Sequence, residues 1–153
     1  MVIAYIGLGA NLADPLAQLQ RALLALKQLP ETTLLRSSRF YRSAPLQASG
    51  PEFINAVAQL QTELSPLALL HALQTIEQAA GRQRPYHHAP RTLDLDLLFH
   101  GDTVLQTPEL TLPHPRWRER AFVLRPLAEL APDWVRADDL AAVAQQALSV
   151  LPD

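Results

Sequence analysis

The sequence predicts an α+β fold, a ferredoxin-like sandwich in which helices pack on a mainly antiparallel sheet. Two β-α-β units follow one another along the chain, and a hairpin and further helices come after them. The strand-like segments alternate in polarity, whereas the segments between them place leucines at helical spacing. With 153 residues, of which 48% are hydrophobic, we expect one globular domain over 1–153 with a buried core.

The first β-α-β unit is predicted in the N-terminal part of the chain. The apolar run at 2–8 is typical of a buried strand. The segment Gly7–Leu12 lacks the third glycine of a dinucleotide-binding fingerprint, so we interpret its two glycines as places where the backbone turns and packs closely. Asp14 caps a predicted helix that stops before Pro30, and a second strand is predicted at 32–42.

The second β-α-β unit follows a long loop at 43–52. Alternation predicts a strand at 53–62 that places Phe53 and Asn55 on the same face. A helix is predicted at 65–80, because a Ser-Pro pair marks its start. The predicted buried stripe of this helix and the glycine expected to end it are Leu67, Leu70, Leu73, Ile76 and Gly81.

A strand with two acids on one face is predicted at 91–99. Asp94 and Asp96 project side by side, with Cα atoms roughly 6.5–7 Å apart. Two carboxylates held in this way repel each other unless a cation lies between them, and oxygen ligands suit Mg²⁺ or Mn²⁺. The alternative is an exposed face made soluble by two acids, which we favour less because Arg91 and a basic loop precede the strand. The predicted apolar face consists of Leu93, Leu95, Leu97 and Phe99.

The loop at 82–90 contains two Arg, two His and no acid. A charged loop is usually only solvated, but this one lies between Glu77 and the two aspartates, where it could cover anionic phosphates. By pattern alone, Glu77 is an ordinary surface acid. Four polar features could converge on a polyphosphate: the aspartates, the loop arginines Arg82, Arg84 and Arg91, the group His114, Arg116, Arg118 and Arg120, and Asn55.

The C-terminal third of the chain is predicted to be mostly helical. The predicted elements are a turn at 100–102, a short strand at 103–105, an extended segment at 110–115, helical segments at 116–120 and 121–130, and a last helix from Asp138 or Asp139 to about Val150.

Composition excludes several classes of protein. The net charge of −2 argues against a general nucleic-acid binder, and the absence of Cys excludes disulfides, thiolate metal sites and Cys nucleophiles. Only Lys27 among the 13 basic residues is a lysine, and arginine suits bidentate phosphate contacts, although a genome rich in G and C would produce the same excess. No P-loop, membrane span, signal peptide or heptad pattern is recognisable, so we expect a cytoplasmic monomer that binds neither membranes nor nucleic acids.

Several short motifs occur together and in order along nearly the whole chain. They are Leu-Gly-Ala-Asn-Leu at 8–12, Phe-x-Asn at 53–55, Glu77, Gly81-Arg82, Pro-Arg-Thr-Leu-Asp-Leu-Asp at 90–96, Leu-Pro-His at 112–114 and Arg120-Ala-Phe122. With this combination the chain resembles the 6-hydroxymethyl-7,8-dihydropterin pyrophosphokinase family of the folate pathway. The run at 90–96 is the most specific part of the resemblance.

The resemblance implies a reaction in which ATP gives a pyrophosphoryl group to the hydroxymethyl oxygen of 6-hydroxymethyl-7,8-dihydropterin and AMP is released. It implies two Mg²⁺ ions held by Asp94 and Asp96, and catalytic roles for these acids and for Arg82 and Arg91. The implied ATP-binding residues are Gln74, Glu77, Arg82, Arg91, Leu97, Thr111, His114 and Arg120. The implied pterin-binding residues are Ser43, Ala44, Pro45, Leu46, Phe53, Asn55 and Phe122.

Four positions depart from the pattern of the family. One of them, Phe53 in place of a Tyr, keeps the stacking face and loses only a hydroxyl group. His88 lies in the loop where many relatives carry a Trp, Glu109 lies where some members have a basic residue, and Pro115 follows His114 where a Tyr is frequent. These departures leave open a protein that binds pterin or nucleotide without catalysis. A metal-dependent phosphohydrolase, which would need only water as acceptor, is a third and weaker alternative.

Overall fold

The computed structural model describes residues 1–12, 14–44, 51–81 and 93–152, and its elements follow the predicted order up to residue 100, with the second predicted strand divided in two. The strands are β1 (Val2–Ala10), β2 (Thr32–Ser37), β3 (Tyr41–Ser43), β4 (Phe53–Thr62), β5 (Asp94–His100), β6 (Leu105–Gln106), β7 (Thr111–Leu112) and β8 (Leu148–Val150). The helices are α1 (Pro15–Lys27), α2 (Pro66–Ala79), α3 (Ala121–Leu130) and α4 (Ala137–Ala142), with single 3₁₀ turns at Trp117–Glu119 and Pro132–Trp134.

Six of these strands form one sheet in the order β5-β1-β4-β3-β8, and β2 also pairs with β4. The described pairs are antiparallel, and β6 and β7 form a separate two-stranded ribbon. Each of α1 and α2 connects two strands that are not neighbours, so the strands of one β-α-β unit alternate with those of the other. This order confirms the predicted ferredoxin-like α+β fold.

Apolar side chains cover both faces of the sheet. On one face, α1 and α2 bury leucines such as Leu26 and Leu73 against Ile6 and Leu60. On the other face, α3 buries Leu127 with its neighbours against β1, β4 and β5. Each fully buried leucine contributes about 1.5–3 kcal/mol relative to an exposed one, so the two layers hold the sheet from both sides.

The two predicted helix caps are confirmed. Asp14 Oδ1 accepts from the Ala17 N–H at 3.3 Å, and Ser65 Oγ accepts from the Ala68 N–H at 3.2 Å. Gly81 follows α2 with a φ of 91°, the left-handed conformation that favours glycine after a helix.

The buried stripe of α2 differs from the prediction. Its buried residues are Leu69, Leu73 and Glu77, which recur every four positions along the helix. Leu67 is 39% exposed, because two residues correspond to about 200° around a helix axis. The prediction for Leu67 was wrong, and so was the interpretation of Glu77 as a surface acid.

A register shift on β5 changes the orientation of Phe99. Ile6 pairs with Leu97 but Tyr5 pairs with Phe99, so Leu98 is an extra residue on β5. Phe99 therefore packs against Tyr5 and Trp117 on the α3 side of the sheet. The prediction that Phe99 shares a face with Leu97 was wrong, because strict alternation does not continue through a bulge.

Three further boundaries differ from the prediction. The strand predicted at 32–42 is divided into β2 and β3 where Ser38 exchanges hydrogen bonds with the backbone of Val57. The short strand expected at 103–105 is displaced to β6. The helix expected to reach Val150 ends at Ala142, and β8 follows because pairing satisfies the peptide groups at the edge of β3.

Within the described part of the chain, no helix is both long and apolar enough to cross a bilayer.

Candidate active site

A cavity of about 370 Å³ opens on the α3 face of the sheet. Its floor is formed by β1, β4 and β5, and the start of α3 with the preceding 3₁₀ turn forms a wall. The residues that line it are Gly7, Leu8, Gly9, Ser43, Ala44, Phe53, Asn55, Ala56, Asp94, Asp96, Arg116, Glu119, Arg120, Phe122 and Val123. Apolar walls with a few converging polar groups are typical of a small-molecule site.

Strand register places the acids and the amide at opposite ends of this floor. Gly9 of β1 pairs with Asp94 on one side and with Asn55 on the other, and Gly7 pairs with Asp96. Two strand spacings therefore separate Asp94 from Asn55, roughly 10 Å between Cα atoms. The glycines leave this interval without side chains, so a flat molecule can lie on the sheet between the two ends.

Gly7 and Gly9 lie inside a continuous strand, so the interpretation that they turn the backbone was wrong. Close approach, the other part of that interpretation, is confirmed at Gly9. A Cβ atom at Gly9 would lie 3.1 Å from Asn55 Nδ2, closer than an ordinary contact. Gly9 therefore lets the Asn55 amide lie against the backbone of β1.

Asp94 and Asp96 are half-buried, and both line the cavity. The prediction that the two acids share one face of a strand is confirmed. Among the described residues, no group of three or more His, Cys, Asp or Glu side chains could hold a metal ion. Two carboxylates still fit Mg²⁺, which is commonly bound by one or two carboxylates and takes its remaining ligands from water and substrate phosphates.

The outer side of β5 is held by groups from two other segments. Glu77, on α2, is only 3% exposed, and its Oε2 atom accepts from the Leu95 N–H at 2.8 Å. The His114 N–H donates to the Leu98 carbonyl at 2.9 Å. These bonds satisfy peptide groups that point away from β1, at the end of the sheet.

The His114 ring is oriented by its own turn. Its Nδ1 atom accepts from the Arg116 N–H at 3.1 Å, so a neutral ring carries its proton on Nε2. Burial lowers the pKa of His114, the Asp96 carboxylate opposes this, and the positive charges of Arg120 and Arg116 lower it further. Near neutral pH the ring is therefore an uncharged donor close to the acids and arginines.

The amide of Asn55 is held by a buried hydroxyl. Ser43 Oγ donates to Asn55 Oδ1 at 2.5 Å, and both residues are 4% exposed. The bond leaves the Asn55 NH₂ group on the Gly9 side and one lone pair of Oδ1 for another donor. Phe53 and Phe122 line the same cavity, which gives two apolar ring faces near the amide.

The structure brings together around the cavity eight of the residues that the resemblance implies for the site. These are Ser43, Ala44, Phe53, Asn55, Asp94, Asp96, Arg120 and Phe122. Five of the residues implied by the resemblance do not line it: Gln74 and Glu77 on α2, Leu97 on β5, Thr111 on β7, and His114 shortly after β7. Pro45, Leu46, Arg82, Arg84 and Arg91 lie outside the described residues.

Arg116, grouped by sequence with the polar features that could converge on a polyphosphate, also lines the cavity but was absent from the binding sets that the resemblance implies. Six further lining residues were absent from those sets, namely Gly7, Leu8, Gly9, Ala56, Glu119 and Val123. The glycines could have been found from their spacing, since residues two apart on a strand share a face. Arg118, grouped with Arg116 and Arg120 by sequence, does not reach the cavity. Its guanidinium lies 4.8 Å from the centre of the Trp117 ring and 4.0 Å from an Asp139 oxygen.

Comparison with known proteins finds several similar sequences. Residues 5–132 match the family described as 7,8-dihydro-6-hydroxymethylpterin-pyrophosphokinase. A protein of Pseudomonas aeruginosa named 2-amino-4-hydroxy-6-hydroxymethyldihydropteridine pyrophosphokinase is 53% identical over 130 residues, covering 84% of this chain and 80% of its own. A protein of the same name from Haemophilus influenzae is 48% identical over 136 residues, and the match covers 88% of this chain and 85% of that protein.

Among solved structures, a chain described as HPPK-DHPS in complex with substrates superposes with a TM-score of 0.68 and 14% identity. The match covers 89% of this chain but only 41% of that longer one. At this identity the superposition supports the fold alone.

Proposed function

Because the chain belongs to the 7,8-dihydro-6-hydroxymethylpterin-pyrophosphokinase family, we propose that the cavity on the α3 face is its active site. The enzyme transfers a pyrophosphoryl group from ATP to hydroxymethyldihydropterin in folate biosynthesis. One observation supports the location above all: two carboxylates of β5 and the amide of Asn55 lie at opposite ends of one floor.

The amide end of the cavity suits the pterin. The edge of a pterin carries both donors and acceptors, and Asn55 offers an NH₂ group and a free lone pair. Phe53 and Phe122 offer faces for a flat ring, and stacked aromatic pairs contribute about 0.5–1.5 kcal/mol beyond burial. We propose that Ser43 and Ala44, with Pro45 and Leu46 beyond the described residues, complete this end.

The acid end suits a divalent cation and a polyphosphate. We propose that Asp94 and Asp96 hold two Mg²⁺ ions, which when bound neutralise phosphate charge and make the phosphorus more electrophilic. Arg116 and Arg120 on the adjacent wall would bind phosphate oxygens, and the neutral His114 would donate from Nε2.

The remaining ATP contacts are proposed from the resemblance. Gln74 is exposed on α2, Thr111 is half-buried on β7, and Leu97 is a buried residue of β5 itself. Glu77, which the resemblance also assigns to ATP, is buried and accepts from the Leu95 N–H, so we assign it an indirect role through β5. Arg82 and Arg91, outside the described residues, are proposed as further phosphate ligands with catalytic roles. The protein residues then position both substrates, so that the pterin hydroxyl lies in line with the phosphorus that it attacks.

The described residues that line the cavity are carried by one sheet, by the segment that leads into α3 and by the start of α3. The lining extends from Gly7 to Val123, and the strands that carry it belong to one sheet. We therefore propose one domain that acts as a monomer.

The decisive test of the site is Asp96→Ala in the full chain, assayed for AMP formation with ATP, Mg²⁺ and the hydroxymethyl pterin. Removing a metal ligand should remove several kcal/mol of transition-state stabilisation, a loss of about 10³-fold or more. Asp102→Asn, an exposed acid in the turn after β5, is the matched control and should retain activity. Unchanged turnover in Asp96→Ala would contradict the proposed site.

The same assay separates the alternatives. AMP that appears only when the pterin is present excludes a passive binder, whereas product formed with water alone would indicate a phosphohydrolase.

A further inference from the structure

We propose that Glu77 is a positioning residue for the two aspartates, because it holds the backbone of β5 between them. This inference rests on the proposed role of Asp94 and Asp96 in cation binding. It concerns a side chain that does not line the cavity and that acts from the opposite side of the strand.

The first step of the argument is the position of β5 in the sheet. Among the described strands, β5 pairs with β1 and lies at the end of the order, so one side of β5 has a strand partner and the other has none within these residues. On an edge strand, successive peptide groups point alternately toward the neighbouring strand and away from it. Asp94 and Asp96 pair with Gly9 and Gly7, and the residue between them, Leu95, directs its N–H outward.

The second step is the partner of that N–H. Glu77 Oε2 accepts it at 2.8 Å, and the carboxylate that does so is almost completely buried. A buried carboxylate costs free energy unless hydrogen bonds compensate it, and such charge-assisted bonds are stronger than neutral ones. Because α2 is held by Leu69 and Leu73 in the core, Glu77 connects β5 to a fixed element.

The third step is the effect on the acids. Two neighbouring carboxylates repel each other, and an edge strand can relieve this repulsion by twisting or by moving away from β1. The Glu77 bond opposes both movements at the Asp94–Leu95 peptide, one residue away from Asp96. It therefore keeps the carboxylates directed into the cavity before a cation arrives, which lowers the cost of binding it.

The experiment uses the full chain labelled with ¹⁵N and compares Glu77→Ala, Glu77→Gln and Gln78→Ala. Gln78 is the exposed neighbour on the same helical turn and serves as the matched control. In Glu77→Ala, hydrogen exchange at the Leu95 amide should accelerate about tenfold or more, as expected for loss of a bond to a charged group. Glu77→Gln keeps an acceptor oxygen and should recover part of the protection.

Cation binding is measured on the same samples with Mn²⁺ alone, followed by paramagnetic broadening of the Gly7 and Gly9 amide signals. Loss of an outer-shell support typically weakens a metal site about 10- to 100-fold, and we expect the lower end for Glu77→Ala. In EDTA, the affinity for a non-hydrolysable ATP analogue should be the same in all variants. This equality separates positioning from direct contact with the nucleotide.

Either of two results would overturn this inference and leave the proposed function standing. The first is unchanged hydrogen exchange at the Leu95 amide in Glu77→Ala, and the second is weaker nucleotide binding of Glu77→Ala in EDTA together with an unchanged Mn²⁺ titration. Absence of Mn²⁺ broadening in the unaltered protein would instead refute the proposed role of the aspartates, and the inference with it.

Discussion

β4 and β5 both present polar side chains to the cavity, but the two strands are supported in different ways. β4 lies inside the sheet, with β1 on one side and with β2 and β3 on the other. Its polar residue, Asn55, is oriented by a neighbouring strand through the Ser43 hydroxyl. β5 lies at the end of the sheet, and its outer side is held by Glu77 and by the backbone of His114.

This difference matches the chemistry that we propose for each end. A flat ring needs a surface that does not move, and a central strand provides it through two hydrogen-bonded ladders. Two aspartates that must accept a cation repel each other without it, so their strand needs support from outside the sheet. The two ends can therefore be perturbed separately.

The largest expected effect is at the acid end. Asp94→Asn keeps the shape of the side chain but removes its charge, so we expect the rate of AMP formation at saturating Mg²⁺ to fall about 10³-fold. Pterin affinity measured in EDTA should change by less than about twofold, because a loss of about 0.4 kcal/mol or less is expected where no contact is removed. A parallel loss of pterin affinity would show that the two ends are not separable.

The next effect is at the amide end. Asn55→Ala should weaken pterin binding by about 10- to 100-fold, since two hydrogen bonds of about 1 kcal/mol each and the packing of the amide are lost. Calorimetry of pterin binding measures this loss, and Mn²⁺ broadening at Gly7 should be unchanged.

Ser43→Ala is the matched variant for the orientation of Asn55. It keeps the Asn55 amide but removes the group that holds it, so the loss of pterin affinity should be about threefold to tenfold, less than for Asn55→Ala. Equal losses in the two variants would show that Ser43 contributes more than orientation.

Gly9→Ala tests the part of the cavity floor that lacks side chains, between Asn55 and the two aspartates. The added methyl would lie 3.1 Å from Asn55 Nδ2, so the amide must move. We expect about 1 kcal/mol of strain, or a loss of pterin affinity of about fivefold. Gly7→Ala is the matched control, because the nearest atoms to a Cβ there belong to the Leu98 side chain, at 3.6 Å, an ordinary van der Waals distance. If Gly7→Ala has the larger effect, the ligand does not lie toward Asn55.

The smallest effect is a pH dependence at His114. Its pKa is lowered in the folded protein, chiefly by burial, so between that pKa and 6.5 the unfolded chain binds more protons. The free energy of unfolding should therefore decrease as the pH falls through this interval, and His114→Asn should reduce the decrease. Urea unfolding of the two proteins at several pH values measures the free energy of unfolding and its decrease.

NMR titration of the His114 ring measures its pKa directly. The midpoint for His114 should lie below 6.5, and Asp96→Asn should lower it further, because the carboxylate raises the pKa. A midpoint raised by Asp96→Asn would contradict the proposed proximity of the two residues.

The order of elements could be predicted from the sequence, because the caps at Asp14 and Ser65 and the alternation at 53–62 are local signals. Strand boundaries that depend on pairing with a distant strand could not be predicted. β8 forms because β3 offers it an edge, and nothing within 138–150 specifies that partner. The bulge that turns Phe99 toward α3 likewise depends on how β1 meets β5.

The candidate site likewise has features that the sequence predicts and features that only the tertiary structure shows. Residue types and period-two spacing were sufficient to place the two acids on one face of β5, and Phe53 with Asn55 on one face of β4, because these relations lie within single strands. The roles of Gly9, Ser43 and Glu77 depend on contacts between elements that are far apart in the chain. A buried acid such as Glu77 looks like a surface acid until the helix that carries it is packed against β5. Local chemistry therefore determined which groups are available, whereas strand register and helix packing determined which groups meet, because only packing brings distant residues into contact.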